Sequence, residues 1–197
     1  MFRKTLFILI SLTIFTQNLM ANEQENLKEH FLKKIDEVIV IVKNKENNKS
    51  MRNSKIVATL TPMFDFELMA KLSLGKTWKT LTVIEKKKFV SLYVERMKKS
   101  YSSKIDSYSD EKVEISNLIQ PKNNRIKLIT NLVSQNEKLE VVYKFYKPKK
   151  QKTNKDRWLV YDVIILGVSI IKTDKAQFKE FLQTNNISEL MNQISVN

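Results

Sequence analysis

The sequence predicts an α+β domain: N-terminal helices packed on a curved antiparallel sheet of about four strands, then a C-terminal helix. Three observations predict it. Apolar residues recur at a spacing near 3.6 from Leu27 to about Lys104, the spacing falls to 2 between Lys112 and Val168, and it returns to the helical value after Thr173. A run of helices followed by a run of strands belongs to the α+β class rather than to an alternating parallel sheet.

Met1 to Ala21 has the three parts of an export signal. Arg3 and Lys4 form a positive start, Leu6 to Phe15 is an apolar run of ten, and Ala21 offers a small residue before polar Asn22 and Glu23. Ten apolar residues are too few to cross a bilayer, which needs about 20, and no later stretch is long enough. The expectation is a cleaved segment 1–21 and a single domain over 22–197. Cleavage removes two positive charges and no negative ones, leaving +12 of the original +14.

Leu27, Phe31, Ile35, Val38, Ile39 and Val42 define an amphipathic helix over Glu25 to Asn44. His30 lies on its surface with no second histidine near it. Asn44 to Asn53 reads as a polar loop, and Ser54 to Leu60 as a short helix stopped by Thr61-Pro62, because a residue before proline is pushed out of the helical region. Asp65 is placed to cap a helix through Leu74, and Gly75 to close it in the left-handed conformation. Thr82 and Glu85 form a capping box for a helix reaching about Lys104, with Phe89, Leu92, Tyr93, Met97 and Tyr101 on one face.

Four strands follow. Lys112 to Ile119 alternates weakly, Arg125 to Val133 and Lys138 to Lys147 alternate clearly, and Arg157 to Val168 is apolar enough to be buried on both sides. Asn123-Asn124, Gln135-Asn136 and Pro148 to Asp156 supply the turns of an antiparallel meander. Thr173 or Asp174 can cap a helix carrying Phe178, Phe181 and Leu182, and Ile187 to Ile194 adds a further turn or two. Asp162, alone in an apolar strand, needs hydrogen-bond partners and reads as a structural acceptor tying the strand to a neighbour.

Composition narrows the function. The 197 residues include no cysteine, one histidine, two glycines and three prolines. Disulfides, thiolate metal sites, a cysteine nucleophile, a His-rich metal site and Gly-rich phosphate loops are thereby excluded. An enzyme would have little to work with, since no paired carboxylates stand at a recognisable spacing. Lys+Arg 35 against Asp+Glu 21 points to anionic partners. Nucleic acid is not among them, for want of a helix-turn-helix or an aromatic stacking platform. An exported basic protein instead meets membrane surfaces or acidic proteins. Lys147, Lys149, Lys150, Lys152 and Lys155 crowd one hairpin loop, a candidate docking surface for either. Asn48-Lys49-Ser50 matches the glycan acceptor pattern.

Two stretches resemble a known family. Phe64-Asp65-Phe66-Glu67-Leu68-Met69-Ala70 leading through Gly75 to Trp78, then Phe89 and Tyr101, looks like the first motif of MlaC. That family, also known as the toluene-tolerance auxiliary family, is the periplasmic phospholipid-binding component of the Mla lipid-transport system. Trp158 to Ser169, followed by Gln177-Phe178, looks like its second motif. Many members carry Asn-Tyr-Arg after that motif, where this chain has Thr173-Asp174-Lys175. Together the motifs anchor roughly Leu27 to Ile194. The resemblance implies a non-enzymatic monomeric carrier without cofactor, holding acyl chains in a cone-like pocket between a helical layer and a curved sheet. It implies as partners an inner-membrane Mla ABC transporter complex and an outer-membrane lipoprotein–porin complex, and a role in outer-membrane lipid asymmetry. The alternative is an exported basic module for another anionic ligand, a reading that rests on charge alone.

A carrier of this kind must be greasy. Exposing acyl chains costs about 0.8 kcal/mol per methylene, so roughly thirty methylenes cost on the order of 24 kcal/mol. A headgroup hydrogen bond of about 1–3 kcal/mol cannot substitute. The apolar material is present: Met63, Phe64, Met69, Leu72, Phe89, Tyr93 and Met97 on helices, and Leu128, Val141, Tyr143, Val163, Ile165 and Val168 on strands. Trp78 and Trp158, one in each motif, serve either as core or as pocket wall.

Overall fold

A computed structural model describes residues 2–44, 46, 48–106, 112–134 and 137–196, with side chains from residue 22 onward apart from 101–106. The Tyr101 side chain and the Gln135-Asn136 turn lie outside what is described. The order of elements is α1 (Phe2–Lys43), α2 (Lys49–Leu60), α3 (Phe66–Leu74), α4 (Val83–Asp106), β1 (Lys112–Lys122), β2 (Arg125–Val133), β3 (Lys138–Tyr146), β4 (Leu159–Ile165), β5 (Val168–Ser169), α5 (Ile170–Phe181) and α6 (Ile187–Val196). The strands form one antiparallel sheet in sequential order β1-β2-β3-β4-β5. The class is the expected one, with five strands rather than about four.

Local chemistry explains most boundaries. No glycine or proline interrupts residues 2–43, so the helix expected from Glu25 begins already at Phe2. The polar stretch read as a loop up to Asn53 turns helical at Lys49, because the Asn48 side chain caps the amide of Met51 at 2.9 Å. Pro62 then forces a 3₁₀ turn, Thr61–Met63. Asp65 caps α3 through the amide of Leu68, and Gly75 closes it at φ 57°. The capping box before α4 forms in both directions, Thr82 N to Glu85 Oε2 at 2.8 Å and Glu85 N to Thr82 Oγ1 at 3.2 Å. Each such cap contributes about 1 kcal/mol.

Two expectations are corrected. The apolar run Arg157 to Val168 is not one strand: it folds back at Leu166-Gly167, both with positive φ (49° and 78°), and returns as β5. Paired positive φ values suit a tight hairpin turn, which Gly167 supplies. The last-but-one helix is capped not by Thr173 or Asp174 but by Ser169, whose hydroxyl accepts from Lys172 N. Asp174 is instead buried, accepting from Tyr93 OH at 2.7 Å and pairing with Arg96 at 2.9 Å, which locks α5 to α4. Asp162 does act as an acceptor: Ser169 Oγ, Ile171 N and Lys144 Nζ all bond to it, fastening β4 to the start of α5.

Two apolar clusters result. One lies among α3, α4, α5 and α6, centred on Met69, Phe89, Tyr93, Phe178 and Leu190. The other lies between α1, the Thr61–Met63 turn and one face of the sheet, centred on Phe31, Leu128, Phe145 and Val160. Half-buried Phe64 and Ile170 pack against both.

Candidate lipid-binding site

The sheet-facing cluster is assembled by strand parity. Leu128 stands opposite Leu118 and Tyr143, and Tyr143 opposite Val163. Ile126 and Val160 face Phe145 from either side, and Val141 faces Ile165. Ser116 is an extra residue in β1 and Tyr161 one in β4, so each strand switches parity part-way while keeping apolar residues on the same face. Across this face lies α1, which buries Leu27 and Phe31. The Phe31 ring meets Tyr143 at 4.8 Å and Phe145 at 6.4 Å, both edge-on. Burial pushes the Tyr143 phenol up to about 12, so it stays neutral at any physiological pH. Around this centre runs a half-buried margin that includes Ile35, Leu60, Val113, Ile115, Leu118 and Val141. This layer offers apolar surface and no acid–base pair.

Of the expected wall residues, Met63, Phe64, Leu128, Val141, Tyr143, Val163 and Ile165 come together here. Met69, Leu72, Trp78, Phe89, Tyr93 and Met97 do not: they pack in the helical cluster against α5 and α6. Val168 joins neither, because the Leu166-Gly167 turn leaves it 59% exposed on β5. Leu27, Phe31, Ile126, Phe145 and Val160 also belong to the layer, beyond the expected wall residues, and so does Trp158, for which core and wall are both open readings. The signal for Phe145 and Ile126 was available, since each shares the parity of its assigned neighbours Tyr143 and Leu128.

A polar rim surrounds the layer. Glu23 of α1 pairs with Lys147 at 2.7 Å and with Arg157 at 3.1 Å. Gln24 bonds to Gln120 of β1 at 2.6 Å, and His30 meets Asp156 at 2.8 Å. Thus α1 is clasped to β1 on one side and to the β3–β4 connection on the other. The lysine loop is largely engaged. Lys152 reaches Asp65 at 2.8 Å, and Lys155 donates to the carbonyls of Thr61 and Phe64 at 2.6 and 2.8 Å. Burial pulls the Lys155 amine below its ordinary value. Burial alone would raise the Asp65 carboxyl, but bonds from Lys152, Tyr146 and Leu68 N together hold it below the usual value. Lys149 and Lys150 are exposed and have no partner among the described residues. Trp158 Nε1 is buried within the layer with no hydrogen-bond acceptor among the described residues. Among the described residues, no group of three or more His, Asp or Glu side chains could hold a metal ion, and no helix is long and apolar enough to cross a membrane.

The family model for the MlaC protein matches residues 32–196, which holds most of the layer and both sequence motifs. The chain belongs to the MlaC family. A relative, the intermembrane phospholipid transport system binding protein MlaC of Haemophilus influenzae, is 25% identical over 134 residues, which cover 67% of this chain and 61% of the relative's length. The fold is also similar to that of the phospholipid-binding protein from Ralstonia solanacearum solved in complex with a phospholipid. The TM-score is 0.73 at 16% identity, over 84% of this chain and 93% of that one. In the Thr173-Asp174-Lys175 stretch, Asp174 is the residue that anchors α5 to Tyr93 and Arg96.

Proposed function

We propose that this chain is a periplasmic phospholipid carrier, exported by way of residues 1–21, that holds acyl chains between α1 and the inner face of the sheet. In the same reading it moves lipid between an outer-membrane lipoprotein–porin complex and an inner-membrane ABC transporter, and so maintains outer-membrane lipid asymmetry. Its membership of the MlaC family carries this reading. The sheet-facing layer is the part of the molecule whose physics suits it. Its margin leaves apolar side chains half-buried, and a bound chain would finish burying them at about 25 cal/mol per Å².

Entry requires α1 to move, since Leu27 and Phe31 fill the centre of the layer. The clasps that hold α1 are side-chain pairs at the rim, His30–Asp156, Glu23–Lys147 and Glu23–Arg157. Partly exposed pairs of this kind are each worth about 0–1 kcal/mol, so they position the helix without locking it. An acyl chain entering beside Phe31 replaces side-chain contact by lipid contact and loses little on the way. The unpartnered Trp158 Nε1 then faces a ligand that brings ester oxygens. Lys149 and Lys150 remain free for acidic partner surfaces.

Native mass spectrometry of the chain purified from a lipid-containing host tests this. The expected result is bound phospholipid, lost when Val163 or Ile165 is replaced by lysine. A lipid-free mass, or unchanged lipid in both variants, would overturn it.

A further inference from the structure

Away from the lipid layer, the start of α4 carries the most exposed adjacent pair of large apolar side chains among the described residues. Val83 is 67% and Ile84 80% exposed. They stand on a rigid base. The preceding 3₁₀ turn, Thr77–Lys79, buries Trp78, and Leu81 is buried beside it, both in the helical cluster. The capping box between Thr82 and Glu85 fixes the first turn of the helix on that base. An ordered segment that displays valine and isoleucine to solvent gains nothing for folding from them.

Charge collars the pair. Lys86 and Lys87 lie three and four residues beyond Val83, and Lys87 and Lys88 the same distances beyond Ile84, so all are neighbours on the helix surface. Lys76 and Lys79 flank the base, both exposed. Lys86 is drawn over the Trp78 ring at 5.9 Å, while Lys76, Lys79, Lys87 and Lys88 have no carboxylate partner among the described residues. The one carboxylate at this spot, Glu85, is taken up by the amide and hydroxyl of Thr82. The positive end of the helix dipole adds to the same sign.

We propose that this tip is a membrane-docking element that inserts Val83 and Ile84 among the headgroups of an anionic lipid surface, with the lysine collar on the phosphates. A protruding pair fits the yielding boundary of a bilayer, whereas a protein partner would need a preformed socket for it. The collar supplies the complementary charge, and each lysine held near an anionic surface strengthens binding about fivefold. The proposal goes beyond the carrier reading, because it concerns a face remote in sequence and packing from the layer that would hold the acyl chains.

Flotation of the purified chain with vesicles of phosphatidylglycerol and phosphatidylethanolamine, against vesicles of phosphatidylcholine alone, tests it. Binding is expected on the anionic vesicles only and should fall with added salt. Replacing Val83 and Ile84 together by serine should weaken it about tenfold or more, and Ile84→Trp should strengthen it. Both positions are exposed, so the thermal midpoint of each variant should match the parent. Equal binding to both vesicle types, no vesicle binding even where an acidic protein is captured, or a serine variant that floats like the parent would each overturn the proposal. Bound phospholipid measured by mass analysis on the same samples keeps the two readings apart. Lost vesicle binding with full lipid content is the tip's failure alone, and lost lipid content with full vesicle binding is the carrier's.

Discussion

The helical cluster and the sheet-facing layer are built from the same side-chain types but are finished differently. Among the described residues the helical cluster has thirteen buried apolar residues and nine half-buried ones, while the layer has nine buried and ten half-buried. The first is sealed. Its helices are tied by buried polar bonds such as Tyr93–Asp174, and Arg96 lies over the Phe178 ring at 5.5 Å. In the second, α1 is fastened around the edge by ion pairs and amide bonds that are partly wet. Lost contacts in the first should therefore go to stability, and altered contacts in the second to the proposed binding of acyl chains.

The largest expected effect breaks the sealed half. Phe89 is fully buried, stacked on Tyr93 and edge-on to Phe178, so Phe89→Ala should cost about 3–5 kcal/mol in urea unfolding. The folded fraction should still carry its full complement of phospholipid, and a matching drop in lipid per folded molecule would erase the distinction. Ile165→Lys is the converse. At the half-buried margin the lysine stem can lie along the layer and send its amine to water, so stability should change by about 1 kcal/mol or less. Co-purified phospholipid should nevertheless fall sharply. A variant that unfolds while its surviving molecules keep lipid would place Ile165 in the core.

These two halves were not separable in the sequence, and the reason is physical. Periodicity names the apolar face of α4 but not the element that covers it, so Phe89, Tyr93 and Met97 looked as suitable for a pocket as Tyr143 did. Local chemistry read well: Asp65 as a cap, Gly75 as a helix terminator, and the Thr82–Glu85 box all depend on neighbours within four residues. What failed depends on distant partners or on one-residue insertions. Asp174 looked like a cap because its true partners, Tyr93 and Arg96, lie about eighty residues away in sequence. The weak alternation of β1 is the trace of Ser116, which shifts Val113 and Ile115 to one parity and Leu118 to the other. Tyr161 does the same in β4 and makes a strand with sides look like a featureless apolar run.

A smaller effect sharpens the comparison through pH. Asp65 joins the start of α3 to Tyr146 of β3 and to Lys152, and so links the helical half to the layer. Its folded value lies below the ordinary 3.8. The carboxylate's contribution is therefore complete above the unfolded value and is lost as pH falls through the folded one. Urea midpoints should be flat near neutrality and drop in the acid range below the ordinary value. Asp65→Asn should cost on the order of 1–3 kcal/mol at pH 7 and remove part of that drop. An acid profile identical in the variant would mean the link contributes nothing.

The smallest effect concerns one proton. Trp158 is buried in the layer, yet its Nε1 has no acceptor among the described residues. Folding has already met the cost of desolvating that N–H, so Trp158→Phe removes a penalty along with some ring contact. The lipid-free chain should therefore lose little, about 1 kcal/mol or less. Lipid retention is the sensitive readout. If a lipid oxygen accepts from the indole, the phenylalanine variant should release phospholipid to acceptor vesicles about 2–10-fold more readily. A large loss of stability with unchanged release would show instead that the indole serves the fold, and that the layer's centre is as sealed as the helical cluster.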